Sequence, residues 1–355
     1  MLKFAHMADI HLDSPFHYLG NQVKQDERRS EQRNIFKKAI KSAYDNSCEF
    51  VLISGDLFDG EIADISTIKY IDEVVSIYDN MKVIIIAGNH DLINNNILLY
   101  SYNFNSKNVV VLSNNNPFIE LENVRIYGYI SEDILLDSTY YNILMWHGDV
   151  NESGQENPLP SKYKKIGFNY IALGHIHQYE NHSNEVSKIY YPGNLIARGF
   201  DELNEKGYLL VNFDKQLTEV SFVEVKQRKY ISKEIDISNI DYENVLVLSN
   251  EIATHIDDPS NFYVITLKGN RNTTFKVNKT YLDNELENKA YYIKVKDKTT
   301  YNEIRQITPI EQEFINKIDR LINNCLTDEE KEKYRLAKLI GLKALRNEVI
   351  YDEDM

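Results

Sequence analysis

Five times within its first 177 residues this chain ends a short apolar run with histidine, aspartate or asparagine. The segments are Asp9-Ile-His11, Gly55-Asp56, Gly88-Asn89-His90-Asp91, Trp146-His147-Gly148 and Gly174-His175-Ile176-His177. Open α/β sheets collect ligands at the carboxyl ends of their strands, so the fold that suits this series is one whose strand ends share a single crevice. In three of the five, glycine stands directly before the polar residues, where it lets the backbone turn sharply and approach a substrate closely.

The surrounding pattern agrees with a layered α/β domain over the first ~225 residues. Leu2–Met7, Phe50–Ser54, Val83–Ala87, Val109–Leu112, Val124–Tyr129, Ile143–Trp146 and Tyr170–Leu173 read as short buried strands, and Ile189–Tyr191, Tyr208–Phe213 and Thr218–Val225 continue the β pattern. Between them, apolar residues from Ile35 to Tyr44 and from Ile65 to Tyr78 recur at helical spacing. Two sheets covered by helices and a single doubly wound sheet both satisfy this reading. The expected boundaries are a catalytic domain over 1–226, a small α+β accessory domain over 227–305 and a helix-loop-helix over 306–355. Within the accessory domain Asn244–Leu248, Tyr263–Leu267 and Tyr291–Lys296 read as β-like runs. Near the C-terminus, Ile310 to Ile322 and Leu336 to Leu345 give two helices, the second opening at Thr327 with Glu330 placed to complete a capping box. The asparagine clusters at 94–96 and 114–116 read as loops.

Asp9 and His11 are two residues apart, as are His175 and His177. Both side chains of such a pair point the same way only if the chain leaves regular β geometry. Mixed carboxylate, imidazole and amide-oxygen donors without thiolate suit Mn²⁺, Fe²⁺ or Zn²⁺. A carboxylate bridging two cations roughly 3.5–4 Å apart suits the clamping of a phosphate. Taken singly, each segment is weak and reads more readily as a structural histidine or an ordinary turn; the ordered series does not.

Bulk properties narrow the setting. The formal net charge of -14 opposes a protein-wide DNA-attracting surface, although a local positive groove and bound divalent ions are compatible with it. Two cysteines, Cys48 and Cys325, give no disulfide framework and suit a reducing cytoplasm. No stretch reaches the roughly 18–20 apolar residues needed to span a bilayer, and with Asp9 and no apolar h-region near the N-terminus a signal peptide is not expected.

The series DxH, GDxxD, GNHD, a histidine before glycine and then GHxH resembles the calcineurin-like metallophosphoesterase superfamily. Within it, the chain is similar to the DNA-repair exonuclease branch of SbcD-like and YhaO-type proteins. His6-Met-Ala-Asp9-Ile-His11-Leu-Asp13-Ser-Pro-Phe16, Tyr191-Pro-Gly-Asn194, Arg198 and Lys206-Gly207 extend that likeness to about residue 225. The resemblance implies an α/β fold: a four-layer metallophosphoesterase β-sandwich flanked by helices, with a small α+β cap domain and C-terminal helices. It implies one metal on Asp9, His11, Asp56 and His177 and a second on Asp56, Asn89, His147 and His175, with Asp56 bridging. His90 matches the family's non-ligand histidine beside the scissile phosphate. Asp59 matches the residue that orients this histidine in the phosphatase branch, where the archaeal nucleases carry histidine instead. Asp91 reads as a loop-fixing residue. Arg198 is the first candidate for a phosphate or DNA contact, ahead of Lys162, Lys164 and Lys165. Most of the 25 tyrosines read as core or amphipathic surface residues, and none is assigned to base stacking.

The function implied is a two-metal nuclease hydrolysing phosphodiester bonds of DNA, a 3′-to-5′ exonuclease with endonuclease action as an extension, using two divalent ions, Mn²⁺ first. It implies a homodimer working in DNA repair or processing. The expected partner is an SMC-like coiled-coil ATPase gripped through the C-terminal helices, for which Tyr334, Leu342, Leu345 and Val349 offer apolar positions. Packing of those helices on the chain's own domain is the alternative. A phosphodiesterase or phosphatase for small molecules or phosphoproteins, and a non-catalytic scaffold, are the competing functions.

Overall fold

The computed structural model describes residues 2–60, 62–93, 96–130, 134–214, 217–238, 244–271, 279–301, 308–325 and 327–346. Residues 94 and 95 of the first asparagine cluster, and Val349, lie outside these. The chain forms two compact units: Met1–Ile235, Tyr242–Leu267 and Val277–Asp297 make the first, and Asp236–Asp241, Lys268–Lys276 and Lys298–Met355 the second.

In the first unit, β1 (Leu2–Met7), β2 (Phe50–Ser54), β3 (Lys82–Ile86) and β4 (Val109–Val111) form a parallel ladder. A second sheet is built from β5 (Phe118–Leu121), β6 (Val124–Tyr127), β7 (Tyr141–His147), β8 (Tyr170–Gly174), β9 (Tyr179–Asn181) and β10 (Lys188–Pro192), in the order β9-β10-β8-β7-β6-β5. The chain then returns to the first sheet, where β11 (Gly207–Asp214) pairs antiparallel with β1, and β12 (Leu217–Glu224) with β11.

The pleat explains why these strands read as unbroken apolar runs rather than alternating ones. Phe50, Leu52, Ile84 and Ile86 project between the sheets, where they meet Ile143, Met145, Tyr170 and Ala172. Their neighbours Val51, Ile53, Val83 and Ile85 project outward onto α1 (Gln22–Asp45) and α2 (Ile65–Ser76), packing on Phe36, Ile40, Ile68 and Ile71. Asn21 caps α1 by accepting the N–H groups of Val23 and Lys24, and Asp64 with Thr67 forms a capping box on α2. The outer face of the second sheet packs Leu144, Ile171 and Leu173 on Val150, Leu159, Tyr163 and Phe168 of an irregular segment. The first unit is therefore built on a sandwich of two sheets, not one doubly wound sheet.

Still in the first unit, β13 (Tyr230–Asp236), β14 (Phe262–Lys268) and β15 (Tyr292–Asp297) make a three-stranded sheet with α3 (Val245–Thr254) and α4 (Lys279–Leu286). Here one expectation fails: Asn244–Leu248 is not β-like but opens α3. The Asn244 side chain accepts the N–H of Val247 as a helix cap, and Val245, Leu248 and Ile252 are buried at helical spacing. The β preference of the valines is thus overruled by the cap and by burial.

In the second unit, α5 (Pro309–Asn324) starts at a capping box of Thr308 and Glu311, and α6 (Asp328–Leu345) at Thr327, whose hydroxyl accepts the Glu330 N–H. The pair is joined by Lys338 to Asp319 at 2.5 Å and Arg346 to Glu311 at 2.8 Å, with Gly341 against the Phe314 ring. Ile310, Leu336, Leu339 and Leu345 are exposed.

Candidate metal centre

The strand ends β1, β2, β3, β7 and β8 lead into the five polar segments, and the backbone there leaves β geometry. Asp9 (φ 50°), His11 (φ 48°), Asp56 (φ 50°) and His175 (φ 110°) all have positive φ. Such torsions are strained for residues with a Cβ and persist only when the surroundings over-determine them. They are so fixed here: Asp9 N–H donates to Gly55 O at 3.1 Å, His11 N–H to Asp56 O at 2.9 Å, and His175 N–H to both Asp9 carboxylate oxygens at 3.0 Å. Two glycines are required by close approach. A Cβ on Gly88 would lie 2.2 Å from Asp56 Oδ1, and one on Gly174 would lie 1.9 Å from the Ser54 carbonyl oxygen.

Three groups of donor atoms converge, each within 4.8 Å: Asp9, His11 and His177; Asp9, Asp56 and His147; and His11, Asp59 and His90. Asp56 Oδ2 stands between two imidazoles, 3.6 Å from His11 Nε2 and 3.3 Å from His147 Nε2. Asn89 Oδ1 is 2.9 Å from the same His147 nitrogen. His175 belongs to none of the three groups; its ring lies 5.6 Å from that of His147, and its Nδ1 is 3.7 Å from Glu156 Oε2.

Two of the histidines are oriented through their other nitrogens. His147 Nδ1 donates to the Ser54 carbonyl at 2.8 Å, and His177 Nδ1 to Glu202 Oε1 at 2.7 Å. Each bond leaves Nε2 to face the centre, where His177 Nε2 meets His11 Nε2 at 3.2 Å. His11 is fully buried and its Nδ1 has no hydrogen-bond partner among the described residues. Electron pairs of imidazole, carboxylate and amide oxygen converging on one small volume fit a divalent cation, and no thiolate takes part.

Electrostatics point the same way. Burial opposes a charge on His147, yet the hydrogen bond to Asp56, the charges of Asp56 and Asp9, and the Ser54 carbonyl push its pKa up to about 9. Burial would raise the Asp56 carboxyl, but the bond from His147 and the charges of His147 and His11 hold it well below the usual carboxylate range. Burial pushes Asp9 up to about 6. His11 is driven well below 6.5 by burial and then by the Arg198 charge, so it is a neutral imidazole with a lone pair to offer. The pocket calls for positive charge beside Asp56.

His90 is exposed, its ring 4.9 Å from that of His11, while its backbone N–H donates to Asp56 Oδ1 at 2.8 Å. Asp91 accepts the N–H groups of Phe58 at 3.1 Å and Gly88 at 2.8 Å, so this buried carboxyl ties the second polar segment to the third. Arg198 borders the centre: Nη1 is 3.5 Å from Asp59 Oδ2, Nη2 3.5 Å from His177 Nδ1 and Nε 3.6 Å from Glu202 Oε1. Lys164 is turned to its own segment and donates to the Val150 carbonyl at 2.9 Å.

Sequence reasoning missed Glu202. The signal available was the Tyr191-Pro-Gly-Asn194 turn with Arg198 and Lys206, which marked the segment without saying what it holds. Burial would raise the Glu202 carboxyl, but His177, Asn194 and the Arg198 N–H bring it down to about 2. His6, inside the opening motif, is structural: it is buried between the sheets, bonded to Tyr170 and to the Leu173 carbonyl, and burial lowers its pKa to about 3.

Comparison with known proteins accords with this geometry. The chain is 28% identical to the metallophosphoesterase YhaO of Bacillus subtilis over 59% of its own length and 57% of YhaO. It is 26% identical to the DNA double-strand break repair protein Mre11 of Archaeoglobus fulgidus, over 68% of this chain and 63% of that one. It is 23% identical to the SbcD component of the SbcCD nuclease of Staphylococcus saprophyticus, over 73% of this chain and 80% of that one. The matches to YhaO and to this Mre11 thus span less than two thirds of those proteins. Residues 2–179, half of the sequence and all five polar segments, match the calcineurin-like phosphoesterase family. On that match, the chain belongs to the calcineurin-like phosphoesterase family.

Proposed function

We propose that this chain is a two-cation DNA nuclease that hydrolyses phosphodiester bonds as a 3′-to-5′ exonuclease, with endonuclease action as an extension. The observation that carries the reading is the Asp56 carboxylate lying between His11 and His147, at 3.6 and 3.3 Å. Asp9, His11, Asp56 and His177 would hold one ion, and Asp56, Asn89, His147 and His175 the other. His175 lies outside the convergent donor groups, its ring 5.6 Å from that of His147, and completes this second set in the proposal. When bound, two divalent ions, with Mn²⁺ favoured by the donor mixture, neutralise phosphoryl charge and lower the pKa of an attacking water.

The chain's own residues do the rest. Ser54 O and Glu202 fix which nitrogen His147 and His177 present. His90, exposed at the rim, donates a proton from its ring to the leaving 3′-oxygen. Asp59, grouped with His90 and His11, orients that ring, and the Arg198 guanidinium holds a non-bridging phosphate oxygen. The names of the relatives, a double-strand break repair protein and a nuclease component, support DNA as the substrate and DNA repair or processing as the setting. We assign catalysis to residues 1–226, a substrate-facing accessory role to 227–305, and docking of an SMC-like coiled-coil ATPase to 306–355. In that last segment Leu339 and Leu345 are exposed on α6. Two free cysteines accord with a cytoplasmic location, and no described helix is long and apolar enough to cross a membrane.

The test is to supply purified protein with Mn²⁺ and end-labelled single- and double-stranded DNA beside a chromogenic phosphodiester. Stepwise release of nucleotides from 3′ ends is expected. Turnover of the chromogenic compound alone, with DNA intact at every length, would overturn the nuclease reading in favour of a small-molecule phosphodiesterase.

A further inference from the structure

The segment from Tyr191 to Gly207 supplies no donor to the three convergent groups, yet it surrounds one member of them. Glu202 is buried and fully engaged. Its Oε1 accepts from His177 Nδ1 at 2.7 Å, and its Oε2 from Asn194 Nδ2 at 2.7 Å and from the Arg198 backbone N–H at 2.9 Å. Lys206, also buried, donates from Nζ to the His177 carbonyl at 2.8 Å and lies 3.8 Å from Glu202 Oε2. Glu202 and Lys206 thus hold the side chain and backbone of a single residue, His177, while Asn194 and the Arg198 N–H hold Glu202 in turn.

We infer that Glu202 is the positioning residue that sets the tautomer of His177 and so makes its Nε2 available as a ligand. A carboxylate only accepts, so the proton must sit on Nδ1 and the lone pair on Nε2, where it faces His11. The two oxygens of Glu202 are not equivalent. Oε2 faces two fixed donors, the Asn194 amide and the Arg198 N–H, whereas Oε1 faces only the imidazole and the flank of the Arg198 guanidinium. In Glu202→Gln the new amide must keep its oxygen toward the two donors. Its NH₂ then points at His177 Nδ1 and donates to it, which moves the ring proton to Nε2 and blocks ligation. The inference rests on the two-cation reading for its consequence but not for its geometry.

The distinguishing feature is the rank order of variants. If Glu202 only fills space and satisfies donors, the near-isosteric Glu202→Gln is mild and Glu202→Ala severe. If it sets the tautomer, Glu202→Gln inverts the proton placement while Glu202→Ala leaves it unpinned, so Gln is no milder than Ala. The experiment uses the full chain. Imidazole ¹⁵N shifts of His177 are recorded in metal-free protein, and Mn²⁺ is titrated into wild type and both variants.

Expected are an Nδ1-protonated His177 in wild type, an Nε2-protonated one in Glu202→Gln, and a mixture in Glu202→Ala. One of two Mn²⁺ equivalents should weaken by about 10–100-fold in the Gln variant, the range for loss of a partner that orients a metal-bound histidine. An Nε2-protonated wild type, or a Gln variant that binds both equivalents as wild type does, would overturn the inference. Should wild type bind fewer than two equivalents while the tautomers follow the stated order, the two-cation reading falls and the role of Glu202 stands.

Discussion

Two histidines of the centre, His147 and His177, divide their two nitrogens between protein and site. His147 gives Nδ1 to a backbone carbonyl and His177 gives Nδ1 to Glu202, and in both Nε2 is turned inward. His90 differs: its backbone is anchored to Asp56, but its ring is exposed beside His11. Removing that ring leaves the anchored backbone in place. We therefore expect His90→Ala to keep its full complement of Mn²⁺ and to lose about 10²–10⁴-fold in turnover, the usual contribution of a proton donor or acceptor. Metal content by mass spectrometry and turnover on single-stranded DNA measure both. Loss of one metal equivalent would make His90 a ligand and return the mechanism to question. The residue types at the centre were legible because each closes a strand; Glu202 was not, because it lies in a loop and closes none.

Elements were most legible where burial is two-sided. The strands β1, β2, β3, β7 and β8 are near-continuous apolar runs because alternate side chains enter different cores. The edge strands β5 and β9 passed unnoticed, since their residues alternate between exposed and half-buried and carry polar side chains. The run at Asn244–Leu248 was misjudged because alternating valine and leucine suit either state, and the decision came from the Asn244 cap. Asn244→Ala should cost about 1 kcal/mol, within the usual range of roughly 0.5–2 kcal/mol for a lost cap, read as a lower denaturation midpoint at unchanged slope. An unchanged midpoint would assign the helix to packing alone.

At the scale of the whole molecule, sites on two different sheets are tied through one small volume, so filling that volume should stabilise the first unit. Because the native centre gathers donors that the unfolded chain cannot, Mn²⁺ at about 100 times its Kd adds roughly 2.7 kcal/mol. For a unit of this size that is a rise of roughly 5 °C in Tm. Calorimetry in Mn²⁺ and then in chelator measures the shift, and Asp56→Asn should remove most of it. Equal Tm values in the two buffers would contradict a centre that binds in the native state.

The sequence alone determined that strand ends would carry the chemistry, because strand burial and ligand type are local properties written in consecutive residues. It also determined which residues were available: asparagine, aspartate and histidine without cysteine. Only the tertiary structure decided that two sheets, rather than one, bring those ends together. It alone set which imidazole nitrogen faces inward and which carboxylate stands behind His177. Those choices depend on contacts such as His6 with Tyr170, His147 with Ser54 and His177 with Glu202, separated by 164, 93 and 25 positions. No local period records a contact of that kind; it exists only once both cores have packed.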